Sequence, residues 1–128
     1  MKLNPDCIRD VLMELESKTD GISFVSYSFN KENTTFPLTD KYTAVEIRYH
    51  ITQCEASGFF INSNWTLDGT FFVLDISPQA HEFLANIRSQ SLWNKTKNKA
   101  AEIGVSSLQA LMQIATALAT SQIQSLLQ

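Results

Sequence analysis

Apolar residues in this chain recur at two spacings, and the switches between them mark out its elements. Ile8, Val11, Leu12 and Leu15 stand three and four apart, the spacing of one buried helix face. Asn4 precedes them as a candidate N-cap. Pro5 takes the first helical position, where a missing N–H removes no bond. Asp6 suits the positive end of the helix dipole, and Thr19-Asp20-Gly21 predicts the stop. Over residues 22–29 the period changes to two. Ile22, Phe24 and Tyr27 mix with Ser23, Ser26 and Ser28, which predicts a strand with one wet face. Residues 30–40 are polar, include Pro37, and are expected to form a loop.

A second helix is predicted from Thr43, which stands three before Glu46. That is the spacing of a capping box, in which each side chain satisfies the other residue's backbone N–H. Ile47, Ile51 and Cys54 form its inner stripe, and Gly58 is the expected stop. Strands are predicted over residues 59–62 and 70–76. Between them lies Asn64-Trp65-Thr66-Leu67-Asp68-Gly69, and its Asp-Gly pair is a hairpin turn signal. Ser77-Pro78 opens a third helix with Phe83, Leu84 and Ile87 as its apolar face. A fourth covers about residues 92–103 and stops at Gly104. The last opens at Ser106 or Ser107 and runs almost to Gln128. The order is helix, strand, helix, hairpin, helix, helix, helix. This is an α+β chain with a winged-helix-like N-terminal half over residues 1–77. A C-terminal helical extension over residues 78–128 either completes the same domain or forms an oligomer interface.

The 128 residues suit one ordinary domain with one core. Charged residues make up 18%, below the usual ~25%, which leaves room for a partner-covered surface. The formal net charge of -3 argues against a general nucleic-acid binder. Cys7 and Cys54 sit in apolar stripes and read as small buried hydrophobes. The N-terminus has no apolar signal run, and no segment offers ~18 uninterrupted apolar residues, so a cytoplasmic protein without membrane contact is expected. The Asn-X-Thr triplets at Asn33, Asn64 and Asn94 then carry no meaning.

The stretch from Tyr42-Thr43-Ala44-Val45-Glu46-Ile47-Arg48-Tyr49-His50-Ile51 to Ala56-Ser57-Gly58-Phe59-Phe60 resembles the recognition helix and following strand of winged-helix proteins. Two further segments, Ile76-Ser77-Pro78-Gln79-Ala80-His81-Glu82-Phe83-Leu84-Ala85-Asn86-Ile87-Arg88 and Trp93-Asn94-Lys95-Thr96-Lys97, extend the likeness. Together they resemble an uncharacterised winged-helix-like family of small phage and prophage proteins, domain of unknown function 2513. The resemblance implies a fold and a genomic setting, and it implies no activity. Ala80 stands where that pattern has glycine.

With Ile47, Ile51 and Cys54 inward, Arg48, Tyr49, Thr52 and Gln53 are expected on or near the outer face of the second helix. On a recognition helix, Arg48 would read guanine and Gln53 adenine, with Thr43, Lys41 and Lys31 at phosphates. Glu46 and Glu55 on the same helix count against this and fit a solvated face used for protein contacts. Arg88, Lys95, Lys97 and Lys99 beside Trp93 form an auxiliary basic cluster, whose plain alternative is a wet helix face with Trp93 in the core. His50 and His81 lack metal-ligand partners at motif spacing. No glycine-rich phosphate loop and no convergent carboxylate pair is visible. No catalytic residue, metal or cofactor is therefore expected.

From Val105 to Gln128 no residue is charged. Leu108, Leu111, Met112, Ala115, Leu118, Ile123, Leu126 and Leu127 fall largely on one broad side. This helix is expected to be largely covered, by its own domain or by a second copy in a symmetric dimer. The favoured functional reading is a non-enzymatic phage-type transcription regulator that binds double-stranded DNA as an oligomer. The alternative is an interaction module that binds and modulates a host protein without DNA.

Overall fold

The computed structural model describes residues 1–30, 33–105 and 107–127. The elements run α1 (Pro5–Lys18), β1 (Val25–Asn30), β2 (Asn33–Thr34), α2 (Ala44–Ala56), β3 (Phe60–Trp65), β4 (Thr70–Ile76), α3 (Pro78–Ile87), α4 (Gln90–Ile103) and α5 (Leu108–Leu127). The fold is α+β, as the hydrophobic pattern predicts. The expected order holds, with one short strand added. Lys31, Ser106 and Gln128, used above as a phosphate contact, a cap and a helix end, lie outside the described residues. The chain divides into two compact units, Asp6–His81 and Met1–Pro5 with Glu82–Gln128.

In the first unit the core is made by α1, α2 and an antiparallel sheet of order β2-β1-β4-β3. Cys7, Ile8, Val11, Leu12 and Leu15 are fully buried on α1, and Ile47, Ile51 and Cys54 on α2. These are the stripes that the three- and four-residue spacing marks. Across the sheet Tyr27 pairs with Phe71 and Phe71 with Trp65, so three aromatic residues stand in one row. The Trp65 and Phe71 rings lie 4.9 Å apart.

Three segments depart from the expected pattern; one is β3, which runs to Trp65 because Asn64 and Trp65, expected in the connection, pair with Phe72 and Phe71. The first strand begins at Val25, three residues late, and Ile22 and Phe24 are exposed. The Asp20 carboxylate accepts the Ile22 and Ser23 N–H groups at 2.8 and 2.9 Å, which takes both amides out of sheet pairing. Tyr27 and Phe29, rather than Ile22 and Phe24, supply the buried face. The expected loop over residues 30–40 also contains structure. Asn33 and Thr34 pair back onto Asn30 and Phe29. The Thr35 N–H then bonds to the Ser28 carbonyl at 2.9 Å. This fold-back buries Phe36, which is 1% exposed, 4.5 Å from the Tyr27 ring and 5.8 Å from the Phe29 ring.

In the second unit α4 contacts α5 across a connection of four residues, which turns the chain back as a helical hairpin. Ser89 caps α4, its hydroxyl accepting the Leu92 N–H at 3.0 Å. Gly104 ends it in the left-handed region, φ 86°, with its N–H on the Ala100 carbonyl at 2.9 Å. Ser107 opens α5 by accepting the Ala110 N–H at 3.1 Å. Trp93, Thr96 and Ala100 are buried on α4, and Leu108, Leu111, Ala115 and Ala119 on α5.

Candidate interaction surfaces

The second helix is held as its sequence dictates. The Glu46 N–H donates to Thr43 Oγ1 at 3.1 Å, and the Thr43 N–H to Glu46 Oε1 at 3.2 Å. The capping box thus leaves the Thr43 side chain occupied. Arg48 and Thr52 are exposed, while Tyr49 and Gln53 are half-buried. The Thr52 hydroxyl donates to the Arg48 carbonyl one turn back at 2.9 Å. His50 is buried, with Nδ1 2.7 Å from the Glu46 carbonyl. It is a structural residue that helps fix α2.

Both cations near this face have intramolecular partners. The Arg48 guanidinium lies 4.6 Å from the centre of the Trp65 ring on β3, a cation–π contact tying α2 to the hairpin. Glu55 accepts a 2.6 Å hydrogen bond from the Ser63 hydroxyl on the same strand, a second tie. Lys41 Nζ meets the Asp10 carboxylate at 2.9 Å, and the Tyr42 hydroxyl donates to the same oxygen at 2.7 Å. Its hydrogen bond to Asp10, reinforced by that carboxylate's charge, raises the Lys41 ammonium pKa. The spacing of Trp65 and Asp10 from α2 in sequence hides both partners until the sheet and α1 bring them in.

Charge divides sharply between the two units. Asp6–His81 holds eleven of the thirteen Asp and Glu residues and five of the ten Lys and Arg, a net charge of -6. The other unit holds two acidic and five basic residues, a net charge of +3. The unit carrying α2 and the hairpin is therefore the acidic one. Exposed apolar residues accompany that charge: Ile22, Phe24, Val45 and, at the hairpin tip, Leu67. The tip itself is fixed by the Asp68 carboxylate, which accepts from the Thr66 hydroxyl and the Thr70 N–H. Those bonds lower the Asp68 pKa.

The auxiliary cluster is spread along α3 and α4. Lys95 and Lys99 are exposed and Lys97 half-buried, with its Nζ 5.5 Å from the ring centre of the buried Trp93. Lys99 meets Glu102 at 3.4 Å on the helix surface. Arg88 is exposed just past the end of α3.

The last helix splits into two parts. Leu108, Leu111 and Ala115 are buried, and Met112 and Leu118 half-buried. Within the chain itself the stripe is covered as far as Ala119 and bare beyond it. Ile123, Leu126 and Leu127 are 57%, 76% and 81% exposed.

One long-range cluster escaped sequence reading. His81 lies between two carboxylates, with Nδ1 3.8 Å from Glu16 and Nε2 3.8 Å from Asp75. The Thr19 hydroxyl donates to Asp75 at 3.0 Å. These residues come from α1, its C-terminal end, β4 and α3, so no local spacing could announce them. Among the described residues no group of three or more His, Cys, Asp or Glu is arranged to hold a metal ion. Burial raises both thiol pKa values, that of Cys7 to about 12, which keeps both sulfurs protonated and un-nucleophilic near neutrality. Among the described residues no helix is long and apolar enough to cross a membrane.

No curated protein and no solved structure matches the chain. A family model described as Hypothetical protein (DUF2513) matches residues 2–106, which takes in both the α2–hairpin segment and the Trp93-Asn94-Lys95 segment and stops before α5. The chain belongs to the DUF2513 family.

Proposed function

We propose that this is a non-enzymatic cytoplasmic protein of phage type that acts by binding another protein, using the acidic unit that carries α2 and the hairpin. The observation that carries this reading is the net charge of -6 on that unit, with Arg48 stacked on Trp65 and Lys41 paired with Asp10. Duplex DNA is held by several cations placed at phosphates, each replacing a counterion. A surface of net negative charge repels such a ligand and attracts a basic protein surface. The exposed Val45 and Leu67 supply apolar contacts of the kind a protein partner buries.

Capture from host lysate by the full chain tests this. One stoichiometric protein, resistant to nuclease and released by salt, is the expected result. Recovery of nucleic acid with no stoichiometric protein would refute it.

A second reading, a DNA-binding regulator, draws on the order of helix then hairpin and on the exposed Arg48 and Thr52 of α2. It requires Arg48 to leave Trp65 or to use its outer edge. Saturable binding of a duplex that weakens in Arg48→Ala would favour it over the protein-partner reading.

A further inference from the structure

We infer that the partner of the acidic unit is held as an added strand, an extended segment of alternating basic and aliphatic residues laid along the open edge of β1 at residues 24–26. This inference rests on the reading that the acidic unit binds a protein, and it names the chemistry by which that partner is held.

The opening follows from the ladder. The Phe29 N–H donates to the Gly69 carbonyl at 2.9 Å, so the alternate residues Val25 and Tyr27 bond to β4, and Ser26 and Ser28 turn their backbone groups outward. The chain's own fold-back takes those of Ser28. The Thr35 N–H reaches the Ser28 carbonyl at 2.9 Å, and the Ser28 N–H donates to Thr35 Oγ1 at 2.8 Å. Phe36 then turns into the core and Pro37 offers no N–H, so the strand beside β1 ends before it reaches Ser26. The Ser26 N–H and carbonyl have no hydrogen-bond partner among the described residues. Natural sheet edges are guarded by Lys, Pro or a kink. The opposite edge of this sheet is guarded, because Asn62 interrupts β3 with φ 52° and Arg48 lies over Trp65. Residues 22–27 carry neither charge nor proline, and Phe24 beside the opening is 56% exposed.

The chemistry of the edge selects its occupant. An unbonded N–H and C=O on a strand edge are matched by extended backbone, which presents donors and acceptors at the same spacing. The two sides of the sheet select the side chains. Tyr27 faces the α1 side, and Ser26, with Phe24 two residues before it, the other. Glu14 of α1 stands near Tyr27: burial, and then the Glu14 charge, raise the Tyr27 hydroxyl pKa to about 12. Glu14 Oε1 is itself buried with no hydrogen-bond partner among the described residues. A strand in register with β1 sets every second side chain toward Glu14, where Lys or Arg supplies the missing counter-charge. Its other side chains stand beside Phe24, where an aliphatic group is covered. The net charge of -6 on the unit favours the same basic segment.

NMR titration of the isotope-labelled full chain with a synthetic peptide of alternating Lys and Val tests this, carried to about 2 mM so that a weak dissociation constant is reached. The Phe24 and Ser26 amide signals are expected to move saturably, hydrogen exchange at the Ser26 N–H to slow, and binding to weaken as salt rises. Ser26→Pro removes the outward N–H and no bond to β4, and should weaken binding about tenfold. Glu14→Gln leaves the edge intact and should weaken binding about threefold or more, with a flatter salt dependence. A peptide of alternating Glu and Val should not bind. The inference is overturned by an absence of shifts, by equal binding of the Glu–Val peptide, or by Lys–Val binding that Glu14→Gln leaves unchanged. Slowed exchange at Ser26 that depends on chain concentration alone would assign the edge to a second copy and also overturn it. Shifts confined to α2 and the hairpin would overturn it while leaving the acidic-unit reading intact. That reading fails separately, if lysate capture yields nucleic acid and no stoichiometric protein.

Discussion

Phe36 offers the sharpest test of the sheet edge, because it is a fully buried side chain in a stretch that otherwise reads as loop. It is 1% exposed and makes ring contacts with Tyr27 at 4.5 Å and Phe29 at 5.8 Å. Removing a fully buried phenylalanine ring costs ~3–5 kcal/mol, the sum of lost transfer energy and the cavity left behind. Aromatic pairing supplies about 0.5–1.5 kcal/mol of that for each close ring pair. Phe36→Ala should therefore destabilise the protein by about 3–4 kcal/mol, a large share of the ~5–15 kcal/mol typical of a domain. In urea, with a slope of about 2 kcal/mol per molar, the midpoint should fall by about 1.5–2 M while the slope stays constant. Thr39→Ala, at an exposed position in the same connection, is the control and should stay within ~0.5 kcal/mol of the parent. A loss below about 1 kcal/mol for Phe36→Ala would show that Phe36 is no part of the core, and that the fold-back at β2 is not formed.

Further outcomes follow from the same contacts. A double-mutant cycle on Arg48→Ala and Trp65→Leu should return a coupling of about 0.5–1 kcal/mol in urea denaturation. A coupling of zero would remove the cation–π tie between α2 and the hairpin. Gly104→Ala should lower stability by about 1–2 kcal/mol. Nothing stands within 4 Å of the added Cβ, so the loss is purely that of a left-handed backbone at φ 86°; an unchanged midpoint in thermal unfolding would contradict the cap. Cys7 and Cys54 should resist iodoacetamide at pH 8 and react only in urea. The Cys7 pKa is raised in the folded state, from the ordinary 9.0 to about 12, so its contribution to stability is complete below the unfolded value and is lost as pH climbs from about 9 towards 12. A fall across that alkaline range no smaller in Cys7→Ala than in the parent would refute this.

The helices were legible from sequence because each is fixed by neighbours in the chain. The Thr43–Glu46 box, Pro5, Pro78 and Gly104 act within one turn, and the buried stripes of α1 and α2 repeat every three or four residues. The late start of β1 was not legible, since alternation at Ile22 and Phe24 is overridden by two hydrogen bonds to Asp20. Phe36 was hidden because a two-residue strand has no periodicity to detect. Of the four residues expected on the outer face of α2, Arg48 and Thr52 are exposed and Tyr49 and Gln53 half-buried. What the sequence could not convey was the company those groups keep, because Trp65 reaches Arg48 and Asp10 reaches Lys41 only through tertiary packing. The division of α5 into covered and bare parts likewise depends on the length of α4, a property of the pair rather than of either helix.

The proposal that the acidic unit serves a protein partner rather than a nucleic acid is tested most directly by fluorescence polarisation with labelled duplex DNA at low salt, using both random sequence and the promoter of its own gene. At about 50 mM salt, where phosphate contacts are strongest, the full chain is expected to give no saturable signal up to a concentration on the order of 100 µM. Saturable binding that falls in Arg48→Ala and declines steeply with salt would contradict the account.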